Sequence, residues 1–220
     1  MIIKTDINGN PYIGVFCACS ENFLLVGPQV QESTAASIAE ALEVEPLVAT
    51  VGGVNIPGVL VAVNKKGIVV SDIASDSELE SLSEHFNVLT VPDKQNAVGN
   101  NILVNDNKAL VNPEMKDKSV RMIEEHMGVK AVKGTIGGYT TVGAAAVVNS
   151  KGIICHPYTT EEEKALLEKH FDLPMAISTA NYGNPLLGAC MAANTKGAAV
   201  GEQTTGVELN RIEDALGYLD

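Results

Sequence analysis

A closed ring of five ββαβ units, short strands inside and helices outside, is the α/β fold this sequence predicts. Three features predict it. Five glycines recur at nearly constant spacing, each is followed by the same order of apolar and polar segments, and the one segment missing after the last helix is present at the start of the chain.

The glycines are Gly14, Gly58, Gly99, Gly143 and Gly188, spaced by 44, 41, 44 and 45 residues, and the units begin near them. A period of that size marks a repeat architecture in which each unit buries its apolar face on a neighbour. Past each glycine a short apolar run leads to a polar turn headed by Ser20, Asn64, Asn105, Asn149 or Asn194. A second apolar run follows, through Val26, Val70, Val111, Cys155 and Val200, so each pair reads as a β-hairpin. Helix starts come next. Ser75 with Glu78, Thr160 with Glu163, and Thr205 with Glu208 have the spacing of a capping box. Leu79, Leu82 and Phe86 then repeat at helical spacing on one face, and Gly128 and Gly217 stand where helix C-termini favour glycine. Third strands are expected at 47–51, 88–91, 131–136 and 176–180, each carrying a threonine eight or nine residues before the next glycine. The fifth unit has no such strand after its helix. Thr5, nine residues before Gly14, assigns that role to residues 1–6, so one domain of five repeats spans 1–220 and the ring closes without a capping repeat.

Composition narrows the function. A net charge of −12 argues against a broad groove for a nucleic-acid backbone, DNA included. With 4% aromatics and no Trp there is no stacking platform for single strands. No apolar run is long enough to span a membrane, and the start MIIKTDINGN has no signal-peptide core. Four irregularly spaced cysteines make no disulfide framework, so a reducing cytoplasm is the expectation. A monomer is expected as well.

The repeat supplies its own control for active-site candidates, because a residue whose counterparts are apolar is filling a core position. Cys17, Cys19 and Cys155 have such counterparts, and Cys190 nearly so. His85, His126 and His170 share one column near helix ends, where a cation suits the helix dipole, and they lie in different sectors, so no metal site is expected. His156, at a strand end, reads as a surface-loop residue. No catalytic residue and no cofactor are assigned.

Strand direction sorts the loops onto two faces. The Thr-to-Gly connections, DINGNPYI, VGGVNIP, VPDKQNAV, IGGYTTV and ANYGNPLL, share one face and carry few charges. Their Tyr, Asn and Gly content suits recognition, centred on Gly14, Asn55, Asn100, Tyr139, Tyr182 and Asn184. The hairpin turns on the other face carry Lys65, Lys66, Lys108, Lys151 and Lys196. They read as solvated turn lysines in preference to a phosphate-facing ring.

The segments GVFCACSENFLLVGPQV, VGNNILVNDNKALVNPEM and GNPLLGACMAANTKGAAVGEQTTGVEL, within the five-unit order, resemble the archaeal translation initiation factor 6 family of the pentein α/β-propeller fold, over essentially the whole chain. The resemblance implies a non-catalytic factor that binds the large (50S) ribosomal subunit and blocks premature joining of the small (30S) one. The acidic body fits a basic ribosomal protein, with a limited rRNA contact through the loops. Eukaryotic members carry a C-terminal tail with no counterpart here, so regulation through it is not expected. Two other readings stay open. One is a guanidine-modifying pentein enzyme with Cys190 as nucleophile, against which stands a flanking sequence with no His or acid. The other is a generic protein-interaction scaffold.

Overall fold

Five three-stranded sheets stand around a common axis, one per unit, in a computed structural model that describes residues 1–219. In the second unit Val61–Asn64 and Gly67–Val70 form the hairpin and the helix Asp76–Ser83 follows. Val88–Thr90 then returns parallel to Gly67–Val70. The last unit takes its third strand from the chain start. Ile2–Thr5 runs parallel to Ala198–Gly201, with Ile2 opposite Ala198 and Thr5 opposite Gly201. The N-terminal ammonium donates to the Lys196 carbonyl at 2.8 Å. Among the described residues no helix is long and apolar enough to cross a membrane.

The glycine column has a cause that the sequence pattern hides. Each glycine lies inside a four-residue helical turn ahead of its first strand: Ile13–Phe16, Pro57–Leu60, Val98–Asn101, Val142–Ala145 and Leu187–Cys190. A methyl on any of them would overlap a neighbouring carbonyl oxygen: Gly14 that of Gly188, Gly58 that of Gly14, and so on through Gly99 and Gly143 back to Gly188. The five turns thus close a collar around the axis in which only a residue without Cβ fits.

The core is divided among five clusters, and each mixes two neighbouring units. Ala18 and Leu25 of the first unit pack with Leu60, Ile68, Val70 and Leu82 of the second. Leu103 and Leu110 of the third pack with Val142, Ile153, Leu167 and Phe171 of the fourth. No unit encloses its own core, so the stabilisation from apolar burial, about 1.5–3 kcal/mol for each large side chain, belongs to the junctions.

Polar groups reinforce the same junctions. The Asn64 amide donates to Met127 O at 3.0 Å and its Oδ1 accepts the Lys66 N–H at 2.9 Å, so one side chain shapes its own turn and holds the next unit's helix. Asn149 and Asn194 do the same toward Leu216 O and Leu42 O. The turn lysines are not simply solvated. Lys66 donates to Gly128 O, Lys151 to Gly217 O and Lys196 to Glu43 O, at 3.2, 2.8 and 3.0 Å, so each caps the C-terminal end of the neighbouring unit's helix. The histidine column also works across junctions. His126 Nε2 is 3.0 Å from Ile68 O and His170 Nε2 is 3.0 Å from Ala109 O, each in the preceding unit. His85 lies past the end of its shorter helix and is exposed.

Candidate functional site

The loop face is built on the capping glutamates. All three expected capping boxes form. Their carboxylates reach further, into the preceding unit. Glu78 accepts from Thr50 Oγ1 at 2.6 Å and from the Gly52 and Gly53 N–H groups at 2.9 and 3.0 Å. Glu163 holds Thr135, Gly137 and Gly138 in the same way, and Glu208 holds Thr179, Tyr182 and Gly183. This explains why the third strands Glu45–Val48, Lys130–Lys133 and Met175–Ile177 end before their threonines, earlier than the sequence suggests. The threonine leaves the sheet to bond the glutamate. Burial pushes the Glu78 carboxyl up, but the hydrogen bonds outweigh it and hold it at about 2. The same balance lowers Glu163 and Glu208.

Beyond each threonine the chain makes a tight turn. Ile7 pairs with Asn10, Val51 with Val54 and Ile136 with Tyr139, and the two central residues of each have positive φ: Asn8-Gly9, Gly52-Gly53 and Gly137-Gly138. That is the backbone of a type I′ turn, which selects Asn and Gly. The 180–184 turn is one residue longer and places Tyr182 itself at φ +59, 83% exposed. The left-handed region costs an ordinary L-residue about 1–2 kcal/mol. The 91–97 loop is built differently. Asp93 is buried there and accepts from Ser119 Oγ at 2.6 Å and the Lys116 N–H at 2.9 Å, which reverses the Thr–Glu arrangement.

The six expected contact residues lie around this face. Gly14 belongs to the collar, and Asn100 sits beside Gly99 on another of its helical turns. Asn55 is exposed, and its carbonyl accepts from Gln29 Nε2 at 2.7 Å. Asn184 donates to the Tyr12 hydroxyl at 3.1 Å, which joins two loops. Tyr139, 44% exposed, packs on His156. His156 corrects the sequence reading: it is buried, not a surface-loop residue, because Gly137 leaves room for its ring. The second strands also return to this face, so the segments after them add Tyr158, 78% exposed, and Ile73. Following that return would have found Tyr158 from sequence. Around the apolar and aromatic centre stand exposed carboxylates at the helix starts, among them Glu32, Asp76, Asp117, Glu161 and Glu162.

The alternative thiol site lacks what its chemistry needs. Cys190 is buried, and burial pushes its thiol up to about 12, the opposite of the lowering that activates a nucleophilic cysteine. Among the described residues no cluster of three metal-ligating side chains is present.

A family model described as the eIF-6 family matches residues 2–215. The chain belongs to the eIF-6 family. Several similar curated proteins, from archaeal species, are named translation initiation factor 6. That of Haloquadratum walsbyi is 38% identical over 100% of this chain and 98% of its own length. That of Methanoculleus marisnigri is 40% identical over 98% of each. That of Methanocaldococcus jannaschii is 37% identical over 100% of this chain and 99% of its own. Membership accounts for the five-unit ring, and the glycine collar and loop face described above are this family member's version of it.

Proposed function

We propose that this eIF-6 family protein is a cytoplasmic translation initiation factor that binds the large (50S) ribosomal subunit through its loop face and blocks joining of the small (30S) subunit by occupying the surface. The observation that carries the reading is the concentration of Tyr12, Tyr139, Tyr158 and Tyr182 on one rigidly anchored face. Aromatic side chains held in place bind at low entropic cost. The acidic rim favours a basic ribosomal protein as the main contact, with a limited rRNA contact, and on the opposite face Lys66, Lys151 and Lys196 serve internal caps while Lys65 pairs with Asp106. Steric exclusion asks for no cofactor, metal or catalytic group, and the protein acts as a monomer.

Co-sedimentation with purified large and small subunits tests this, together with light scattering of subunit joining. The wild-type protein should pellet with the large subunit alone and suppress joining. Tyr139→Ala with Asn100→Ala should weaken binding by about 2–4 kcal/mol if these are anchors. Undiminished binding by that folded double variant would sink the choice of face.

A further inference from the structure

His156 is only 1% exposed, yet it lies directly under two exposed tyrosines. Its ring centroid is 4.9 Å from that of Tyr139 and 5.4 Å from that of Tyr158. The two come from different segments, Tyr139 from the Glu163-anchored turn and Tyr158 from the stretch after the second strand. Nδ1 accepts the Tyr158 backbone N–H at 3.0 Å, so the ring hydrogen sits on Nε2, which is buried without a partner. Gly137, at φ +59, makes the space, since a methyl there would stand 2.6 Å from Nδ1.

We propose that His156 is a positioning residue of the docking face: its neutral ring holds Tyr139 and Tyr158 in one arrangement, and protonation releases them, so the grip on the partner falls on acidification. The proposal rests on the docking function above. Protonation would put a hydrogen on Nδ1, facing the Tyr158 N–H, and two donors would then oppose each other. Burial disfavours the cation most. The Glu163 carboxylate favours it, but burial prevails and the imidazole titrates below its usual 6.5. A histidine with a lowered folded pKa contributes its full effect above pH 6.5 and loses it as pH falls from there through the lowered folded value.

The third unit supplies a control variant. Asn112 occupies the same column, and its Oδ1 accepts the Glu114 N–H at 2.8 Å, so His156→Asn keeps the turn bond while removing the ring and its titration. His156→Phe keeps a flat ring without the titration. The chain has no Trp, so near-ultraviolet circular dichroism reads its tyrosines without indole interference. Between pH 7.5 and 5 the wild-type tyrosine signal and its affinity for purified large subunits should both fall. His156→Asn should show the weakened signal already at pH 7.5, bind about 3- to 10-fold more weakly there, the worth of one aromatic pair, and lose the pH dependence. His156→Phe keeps the ring contacts but not the Nδ1 acceptor, so it should recover only part of the signal and binding at pH 7.5 and remain insensitive to pH. Identical tyrosine signals in wild type and His156→Asn at both pH values overturn the clamp. A clamp that titrates while both proteins bind the subunit equally overturns its role in binding. The Tyr139–Asn100 variant judges the docking face separately.

Discussion

Glu78→Gln removes a charge and almost no volume, and the loss it causes follows from the bonds Glu78 makes. Its two oxygens accept from Thr50 Oγ1, the Gly52 and Gly53 N–H groups, and both Oγ and N–H of Ser75. In glutamine one oxygen becomes an NH2 group, which sets at least one backbone N–H, that of Gly53 or those of Gly52 and Ser75, donor against donor and leaves the remaining bonds without a charged acceptor. Hydrogen bonds to a charged group contribute about 1.5–3 kcal/mol each, and partial exposure reduces that, leaving roughly 2–4 kcal/mol. For a chain of this size that is a fall in melting temperature of about 5–12 °C. The pH dependence is a second signature. A carboxyl held at about 2 against an ordinary 4.5 contributes fully above 4.5 and loses its contribution as pH falls toward 2. The gap between wild type and variant should therefore shrink by about half or more between pH 7 and pH 3. Thermal unfolding followed by far-ultraviolet circular dichroism at the two pH values measures both. A fall under about 2 °C at pH 7, or a gap that is the same at pH 3, refutes the bridging role.

Deleting residues 1–5 removes the third strand of the last unit and should lower the melting temperature of the whole molecule in one cooperative transition, and an unchanged midpoint would show that closure is dispensable. Tyr182→Gly relieves a left-handed tyrosine and should stabilise the fold by about 1 kcal/mol while weakening subunit binding, which thermal melts and co-sedimentation report separately. Replacing Lys66, Lys151 and Lys196 together by Gln should cost about 1–3 kcal/mol of stability, from three helix caps, with little change in subunit affinity. Lost affinity with unchanged stability would restore the lysine ring as a binding surface.

Architecture was legible because the repeat shows five versions of each position. The Gly14, Gly58, Gly99, Gly143 and Gly188 column is plain in the sequence, but its reason is not, since a four-residue helical turn has no periodicity to detect. The Asn64 column is equally plain, yet the carbonyl that Asn64 serves, on Met127, is 63 residues away. Thr50 marks a position correctly, and what escapes is that it serves the next unit's capping glutamate and not its own strand. At the loop face, strand direction alone finds Tyr139 and Tyr182. His156 resists sequence reasoning because its burial depends on the missing Cβ of Gly137, a residue in another loop. The lysines mislead for a related reason: a lysine in a turn looks free until the helix end beside it is known.

Pairing of Ile2–Thr5 with Ala198–Gly201 also fixes an order of events during synthesis. The first strand to leave the ribosome is the last to find its partner. At about 5–20 residues per second the nascent chain carries Ile2 and Ile3 unpaired for roughly 10–40 s before residues near 200 are made. Four units are able to assemble in sequence meanwhile, but the circle shuts only after translation of the fifth helix-bearing unit is nearly done. A prematurely terminated chain is thereby left with two unmatched ends, which exposes it to degradation and withholds the finished docking face until the whole protein exists.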